Sequence, residues 1–203
     1  MTHFYKFLQA LFQNQFITDW VLRKLDKKHS GKAKQKFLDS VSVYDSMNTI
    51  LNETNIQRIL VFRIVYDEMV GSHNRLDCIK GVFTSPFKNE MDEYQDYEVD
   101  EEYIRMLRDL YNGDIEYIEG KRSIIRGLLG DIYKANGVRY SLITRICDGK
   151  TRDKKGVLIY LSLASSFTKA ESGDNGSLDS AKSRVVINNE LNKIRKYYRR
   201  YYS

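Results

Sequence analysis

The residues best equipped for recognition chemistry stand at the end of the chain. Lys193-Ile194-Arg195-Lys196-Tyr197-Tyr198-Arg199-Arg200-Tyr201-Tyr202 interleaves five basic residues with four tyrosines. Basic side chains neutralise phosphates and aromatic rings stack on bases. Nucleic acid is therefore one reading of Lys193, Arg195, Lys196, Arg199 and Arg200, with Tyr197 and Tyr202 as stacking rings. An acidic protein partner is a second reading. A solvated helix end, with Tyr198 and Tyr201 packed inward, is a third. Other candidates are weaker. His3, His29 and His73 are scattered, and Cys78 and Cys147 stand far apart. No His-x-x-x-His or Cys-x-x-Cys spacing occurs, so no metal site is expected. Each cysteine lies in an apolar segment and reads as a small core residue. A nucleophilic thiol would need the fold to bring a base or a positive field beside it. The acidic residues Glu90, Asp92, Glu93, Asp96, Glu98, Asp100, Glu101 and Glu102 lack calcium-loop spacing and read as a solvated loop. Gly127 and Gly130 fall inside a helical period without the Gly-Lys-Ser/Thr ending of a phosphate loop. No catalytic residue and no cofactor is expected.

The chain has 203 residues, 33 Lys+Arg, 27 Asp+Glu and 42% hydrophobic residues. That balance excludes disordered and fibrous classes and suits one main domain with appendages. No stretch reaches the ~18 apolar residues of a membrane-spanning helix. The opening MTHFYKFLQALFQNQF lacks the basic region, apolar core and cleavage site of a signal peptide. A cytoplasmic protein is expected, or one inside a host cell or particle if the chain is viral. The net charge of +6 conceals segregation. Residues 1–36 carry eight basic and two acidic groups, and residues 88–120 carry three and twelve. Residues 121–169 carry eleven and three, and residues 182–203 seven and one. Alternating blocks suggest complementarity within the molecule or between subunits at least as strongly as nucleic-acid binding.

The elements that must position these groups follow from periodicity. Phe4, Phe7, Leu8, Leu11, Phe12, Phe16, Trp20, Val21 and Leu25 recur at three- and four-residue steps, which predicts a helix over 3–28. A second helix is predicted over 32–53, with Phe37, Val41, Tyr44, Asn48 and Leu51 as a short coiled-coil-like seam. Residues 57–66 are branched and aromatic on both faces and read as a central strand, with 78–83 as the next strand, ended by Pro86. A surface loop from Asn89 to Glu102 leads into a helix at 100–112 with Tyr103, Ile104, Leu107, Leu110 and Tyr111 as its stripe. An edge strand at 115–118, a helix at 122–135 stopped by Asn136-Gly137, and strands at 138–147 and 156–164 follow. A polar hairpin loop, 148–155, joins the last two. The last helix, 179–201, carries Ile187, Leu191, Ile194, Tyr198 and Tyr201 as a seam.

Hairpins at both ends of the sheet imply an α+β fold. The chain here resembles the GAF family. Asn55-Ile56-Gln57-Arg58-Ile59-Leu60-Val61-Phe62-Arg63-Ile64 is similar to its first strand. Leu128-Leu129-Gly130-Asp131-Ile132-Tyr133-Lys134-Ala135-Asn136-Gly137-Val138-Arg139-Tyr140-Ser141-Leu142 resembles its helix-to-strand passage, and Gly156-Val157-Leu158-Ile159-Tyr160-Leu161 its final strand. The resemblance spans about residues 33–200. It implies a mainly antiparallel sheet of five to six strands flanked by helices, with long N- and C-terminal helices. It also implies a sensory or regulatory module that dimerises through terminal helices and binds a small ligand between the sheet and the helices over one face. The Asn-Lys-Phe-Asp-Glu pattern of cyclic-nucleotide-binding members is absent. So are the Pro-containing motifs of bilin-binding members, and Cys78 and Cys147 do not carry over as attachment sites.

The organisation expected is an N-terminal helical segment over 1–54, an α+β core over 55–168, a linker over 169–178 and a C-terminal helix with its basic tail over 179–203. Phe4, Phe7, Leu11 and Trp20 would leave too large an apolar patch on a monomer. With Ile187, Leu191 and Ile194 they are expected to face a partner, in a homodimer or a multi-protein assembly. The leading reading is a non-catalytic, ligand-binding regulatory module. The alternatives are a structural or adaptor subunit, for example phage-encoded, and a nucleic-acid-binding accessory protein.

Overall fold

The computed structural model describes residues 31–66, 75–88, 91–120, 125, 127–150, 156–167 and 180–202. The expected N-terminal helix, with Phe4, Phe7, Leu11 and Trp20, and the expected linker lie outside these residues. By its contacts the chain divides into two units, residues 1–45 and 46–203. Of the first unit, residues 31–45 are described and form the opening turns of helix α1, Gly31–Glu53. There Gln35 Nε2 donates to Asp39 Oδ1 at 2.7 Å.

The second unit begins with the last turns of α1, where Ser46, Met47 and Ile50 are buried. Asn48 is exposed. The seam expected to contain Asn48 is therefore displaced by one position here. Thr54 closes the helix by donating its hydroxyl to the Ile50 carbonyl at 2.7 Å.

Six strands then form one sheet: β1 (Arg58–Tyr66), β2 (Arg75–Phe83), β3 (Tyr97–Glu98), β4 (Ile115–Ile118), β5 (Tyr140–Lys150) and β6 (Gly156–Ser165). Their order is β3-β2-β1-β6-β5-β4, and every neighbouring pair is antiparallel. The five segments predicted as strands all lie in this sheet. Val61, Ile64, Val82, Ile143, Ile159 and Leu161 are all buried, as their patterns required. β1 and β6 occupy the centre because both of their faces are apolar, and all ten residues of β6 are buried.

The register separates two faces. On one face stand Arg58, Leu60, Phe62 and Ile64 of β1, opposite Ala164, Ser162, Tyr160 and Leu158 of β6. On the other stand Ile59, Val61 and Arg63, opposite Leu163, Leu161 and Ile159. The first face carries helices α2 (Glu101–Asn112) and α3 (Gly127–Ala135); the second carries the C-terminal helix α4 (Ala181–Tyr202). Asp100 caps α2 by accepting from the Tyr103 amide at 2.7 Å, and Glu101 and Glu102 suit its dipole. Tyr103, Met106 and Leu110 form its buried stripe. Ile104 and Tyr111, expected on that stripe, are exposed. Gly137, at φ 65°, ends α3 in the left-handed conformation that Asn136-Gly137 predicted.

The segment read as a solvated loop differs most. Met91–Tyr94 forms a 3₁₀ turn whose Met91 and Tyr94 are buried, and Tyr97–Glu98 adds β3 to the edge of β2. The turn lies against β2, where Gly81 leaves room. A Cβ at Gly81 would sit 2.8 Å from the Met91 sulfur. Gln95 Nε2 donates to the Cys78 carbonyl at 2.7 Å. Asp77 accepts from the Asp96 amide at 3.2 Å and pairs with Arg63 at 2.8 Å. Two apolar residues inside an acidic run thus anchor it.

Candidate functional site

The space between the sheet and helices α2 and α3, where the resemblance implied a ligand, holds aromatic side chains. Phe62 stacks on Tyr160 with centroids 5.1 Å apart and meets Tyr94 edge-on at 5.2 Å. The Tyr103 and Tyr160 hydroxyls bond to each other. Burial, with Tyr103 adding to it, pushes the Tyr160 hydroxyl well above its ordinary pKa, so it stays protonated. Farther along, the Tyr133 hydroxyl bonds Ser162 Oγ at 3.0 Å and Ser141 Oγ at 3.2 Å, and the two serines bond each other at 3.2 Å. Arg58 is buried with its guanidinium over the rings of Phe87, at 5.1 Å, and Tyr133, at 5.6 Å.

The open concavity lies elsewhere, and the reason is strand length. β4 pairs with β5 only from Ile115↔Ile143 to Ile118↔Tyr140. β5 runs on to Lys150 without β4 beside it. The register also shifts between Arg145 and Cys147, so Ile146 is an extra residue in β5. Beside this open edge lies a cleft of about 580 Å³, lined by Leu110–Asp114, Arg145–Asp148, Arg195 and Arg199.

Three guanidinium groups enter the cleft from two sides of the sheet. Arg145 stands on the α2 side, opposite Tyr160, with its guanidinium 4.9 Å from the centre of the Tyr111 ring. Arg195 comes from α4, donating through Nη2 to Thr144 Oγ1 at 2.9 Å and through Nε to the Arg145 carbonyl at 3.4 Å. Arg199 lies one helical turn farther along α4. Among the described residues none of the three forms an ion pair with a carboxylate. Asp114, Asp148 and the C-terminal end of α2 also line the cleft, Asp148 on the same strand and face as Arg145. The last carbonyls of a helix have no partner within it and carry the negative end of its dipole. α2 leaves through Gly113 in extended backbone, φ 162°, ψ 178°.

Cys147 borders the cleft but is buried. Burial raises its pKa; Arg199 pulls the other way and Asp148 adds to the rise. It remains a thiol at neutral pH, and among the described residues no basic side chain is hydrogen-bonded to it. Among the described residues no group of three or more His, Cys, Asp or Glu side chains comes together to hold a metal.

The residues singled out at the C-terminus divide. Ile187, Leu191, Ile194 and Tyr198 are buried within the chain, on the α4 side that packs on β5. The Ile187, Leu191 and Ile194 seam expected to face a partner is thus already covered. Lys193 pairs with Glu190 at 2.7 Å. Arg195 and Arg199 meet in the cleft, whereas Lys196 and Arg200 are exposed outside it. Tyr197 meets Tyr198 edge-on at 4.8 Å and Tyr201 at 5.0 Å, and Tyr198 stacks with Tyr202 at 6.2 Å. Sequence reasoning missed Arg145, Tyr111, Asp114 and Asp148. The one available signal was Arg145, a lone cation inside an apolar strand.

The strand order, with α2 and α3 on one face and the C-terminal helix on the other, makes this a GAF-like α+β module. Solved structures of similar fold include GAF3 of Slr1393 from Synechocystis sp. PCC6803 in its photoproduct state, 10% identical over 78% of this chain and 92% of that one, TM-score 0.49. A phycocyanobilin-bound GAF domain from a cyanobacterial phytochrome is 10% identical over 90% of this chain and 93% of that one, TM-score 0.44. The blue-light-absorbing form of the Thermosynechococcus elongatus PixJ GAF domain is 10% identical over 79% and 89%, TM-score 0.40. No protein-family model and no curated protein sequence matches the chain. Among the described residues no helix is long and apolar enough to cross a membrane.

Proposed function

We propose that the chain is a non-catalytic GAF-like regulatory module, which reads a small ligand in the β5-edge cleft and passes its bound state to a partner subunit through the terminal helices. The observation that carries this reading is the double use of α4. Its apolar side packs on β5, and two of the cleft's three arginines, Arg195 and Arg199, stand on the same helix. A ligand held by those arginines acts directly on the terminal helix. With Ile187, Leu191 and Ile194 covered, the partner-facing role falls to the stripe of Phe4, Phe7, Leu11 and Trp20, and the expected assembly is a homodimer. Light scattering at tens of micromolar tests this. The wild-type chain should be a dimer, and Phe7→Glu with Trp20→Glu should make it a monomer of unchanged helix content. A monomeric wild-type chain refutes the dimer.

A second reading, a structural or adaptor subunit, is favoured by the aromatic filling beneath α2 and α3. It differs in requiring no ligand: assembly would proceed equally well with the cleft arginines replaced. Nucleic acid is the less supported partner, because Arg195 is engaged with Thr144 and the tail tyrosines stack on one another.

A further inference from the structure

We infer that the β5-edge cleft holds a phosphoryl group, as free phosphate or as a small phosphate monoester, on the guanidiniums of Arg145, Arg195 and Arg199. This rests on the ligand-binding reading above and names the chemical class of its ligand.

Charge selects an anion. The three guanidiniums line one concavity, and among the described residues none is in ion-pair contact with a carboxylate. Asp114 and Asp148 also line the cleft, and Asp148 has an interaction of its own. Two of the three cations are already held, Arg145 by the Tyr111 ring and Arg195 by Thr144 and the Arg145 carbonyl. Little of their ordering entropy remains to be lost when an anion arrives. Arg199 draws down the pKa of Cys147, which sets its charge beside another lining residue.

Geometry selects the kind of anion. Arg145 lies on the α2 face of β5, opposite Tyr160. Arg195 reaches Thr144, which stands opposite Leu161 on the α4 face, and Arg199 also comes from α4. A carboxylate accepts hydrogen bonds close to its own plane. Donors arriving from the two faces of a sheet do not share one such plane. A phosphoryl group has three terminal oxygens in non-coplanar directions, and guanidinium forks engage them in pairs. With two carboxylates among the lining groups, one phosphoryl group suits the cleft better than a polyphosphate or a nucleic-acid backbone. The volume of about 580 Å³ is that of a small-molecule site and leaves room for the organic part of a monoester.

Calorimetric titration of the full-length chain with inorganic phosphate, phenyl phosphate and succinate tests the inference. At pH 8 and constant ionic strength all three carry about two negative charges, so total charge does not separate them. Both phosphates should bind at least about tenfold tighter than succinate, whose carboxylates are planar. Tighter binding of phenyl phosphate assigns the cleft to a monoester, and equal affinities assign it to free phosphate. Arg199→Gln, at an exposed position with little bearing on folding, should weaken both phosphates about tenfold. Lys193→Gln, outside the cleft, should change neither. Succinate binding as tightly as the phosphates, no binding of either phosphate at millimolar concentration, or indifference to Arg199→Gln would overturn the inference. Amide exchange of α4, measured in the same samples, separates it from the regulatory reading. Phosphate binding with unchanged α4 exchange keeps the ligand class and removes the signalling role. Tight succinate binding with slowed α4 exchange removes the phosphoryl class and leaves the regulatory reading standing.

Discussion

Replacing Tyr133 by Phe removes one oxygen from the centre of the α3–sheet contact and leaves its ring in place. The ring's other interactions survive: the edge-on contact with Tyr117 at 5.2 Å and the Arg58 guanidinium at 5.6 Å. What is lost are the bonds to Ser162 at 3.0 Å and Ser141 at 3.2 Å. Both serines are buried, so an orphaned hydroxyl there would cost about 1–3 kcal/mol. Neither is orphaned, however, because the two serines also bond each other at 3.2 Å. The triangle loses one corner and keeps one side. The expected loss is therefore near that of a single net hydrogen bond, about 0.5–1.5 kcal/mol. At this size that lowers Tm by roughly 1–6 °C, from about 2–4 °C per kcal/mol. Urea denaturation should show a lower midpoint and an unchanged slope. Ser141→Ala with Tyr133→Phe leaves Ser162 alone and should exceed the sum of the single losses. A Tyr133→Phe loss above about 3 kcal/mol would mean that the serines do not re-pair, and the closed triangle would be refuted. A double variant that is merely additive would refute it too.

Two further substitutions test the opposite half of the sheet. Burial pushes the Lys80 ammonium down to about 8, so between that value and its ordinary 10.5 the unfolded chain holds the extra proton and stability rises with pH. Lys80→Met should stabilise the protein at pH 7 and flatten that rise, by at most about 3 kcal/mol. Chemical denaturation at pH 7 and pH 10 measures the difference, in which the raised pKa values of Tyr117, Tyr160 and Cys147, acting the other way, cancel between the two proteins. An identical pH slope in both would contradict the burial of that ammonium. Gly81→Ala would place a methyl group 2.8 Å from the Met91 sulfur and 3.0 Å from Leu60 Cδ2, both on buried residues. Overpacking of that kind costs about 1–3 kcal/mol, and a loss below about 0.5 kcal/mol in urea would show that the 3₁₀ turn is not fixed on β2.

The parts legible in the sequence were those where one physical term dominates. β1 and β6 are apolar on both faces, and only a covered central position suits such a strand. Gly137 follows a helical period, and its positive φ follows from that place. The Met91–Tyr94 turn was illegible because its two anchoring residues are outnumbered by carboxylates, and averaged composition hides a pair of side chains that happen to face β2. Strand β3 has two residues, too few for an alternation to register. The α4 seam was expected to face a partner, but whether the covering surface belongs to the same chain or to another is not a property of periodicity. β5 supplies that cover here.

The cleft was hidden for a related reason. Arg145 lies 50 residues or more from Arg195 and Arg199 in the chain, and each has a bland local explanation: Arg195 and Arg199 as the wet side of a basic helix, Arg145 as an interruption of a strand. Their convergence depends on two facts of length. β4 begins only at Ile115, leaving the far half of β5 without a neighbour on that edge, and α4 is long enough to bring its last turns beside that half. An exposed strand edge is a site for unwanted pairing, and charged side chains are a common protection. The three arginines serve that protective purpose whatever else they do. Protection alone, however, does not require a guanidinium to be stacked on Tyr111 or another to be bonded to both Thr144 and the strand's own carbonyl. Mobile lysines would shield an edge as well and lose less side-chain freedom. Held guanidiniums suit a site that binds an anionic ligand, and that difference between shielding and selecting is what ligand titration of Arg199→Gln against the wild-type chain resolves.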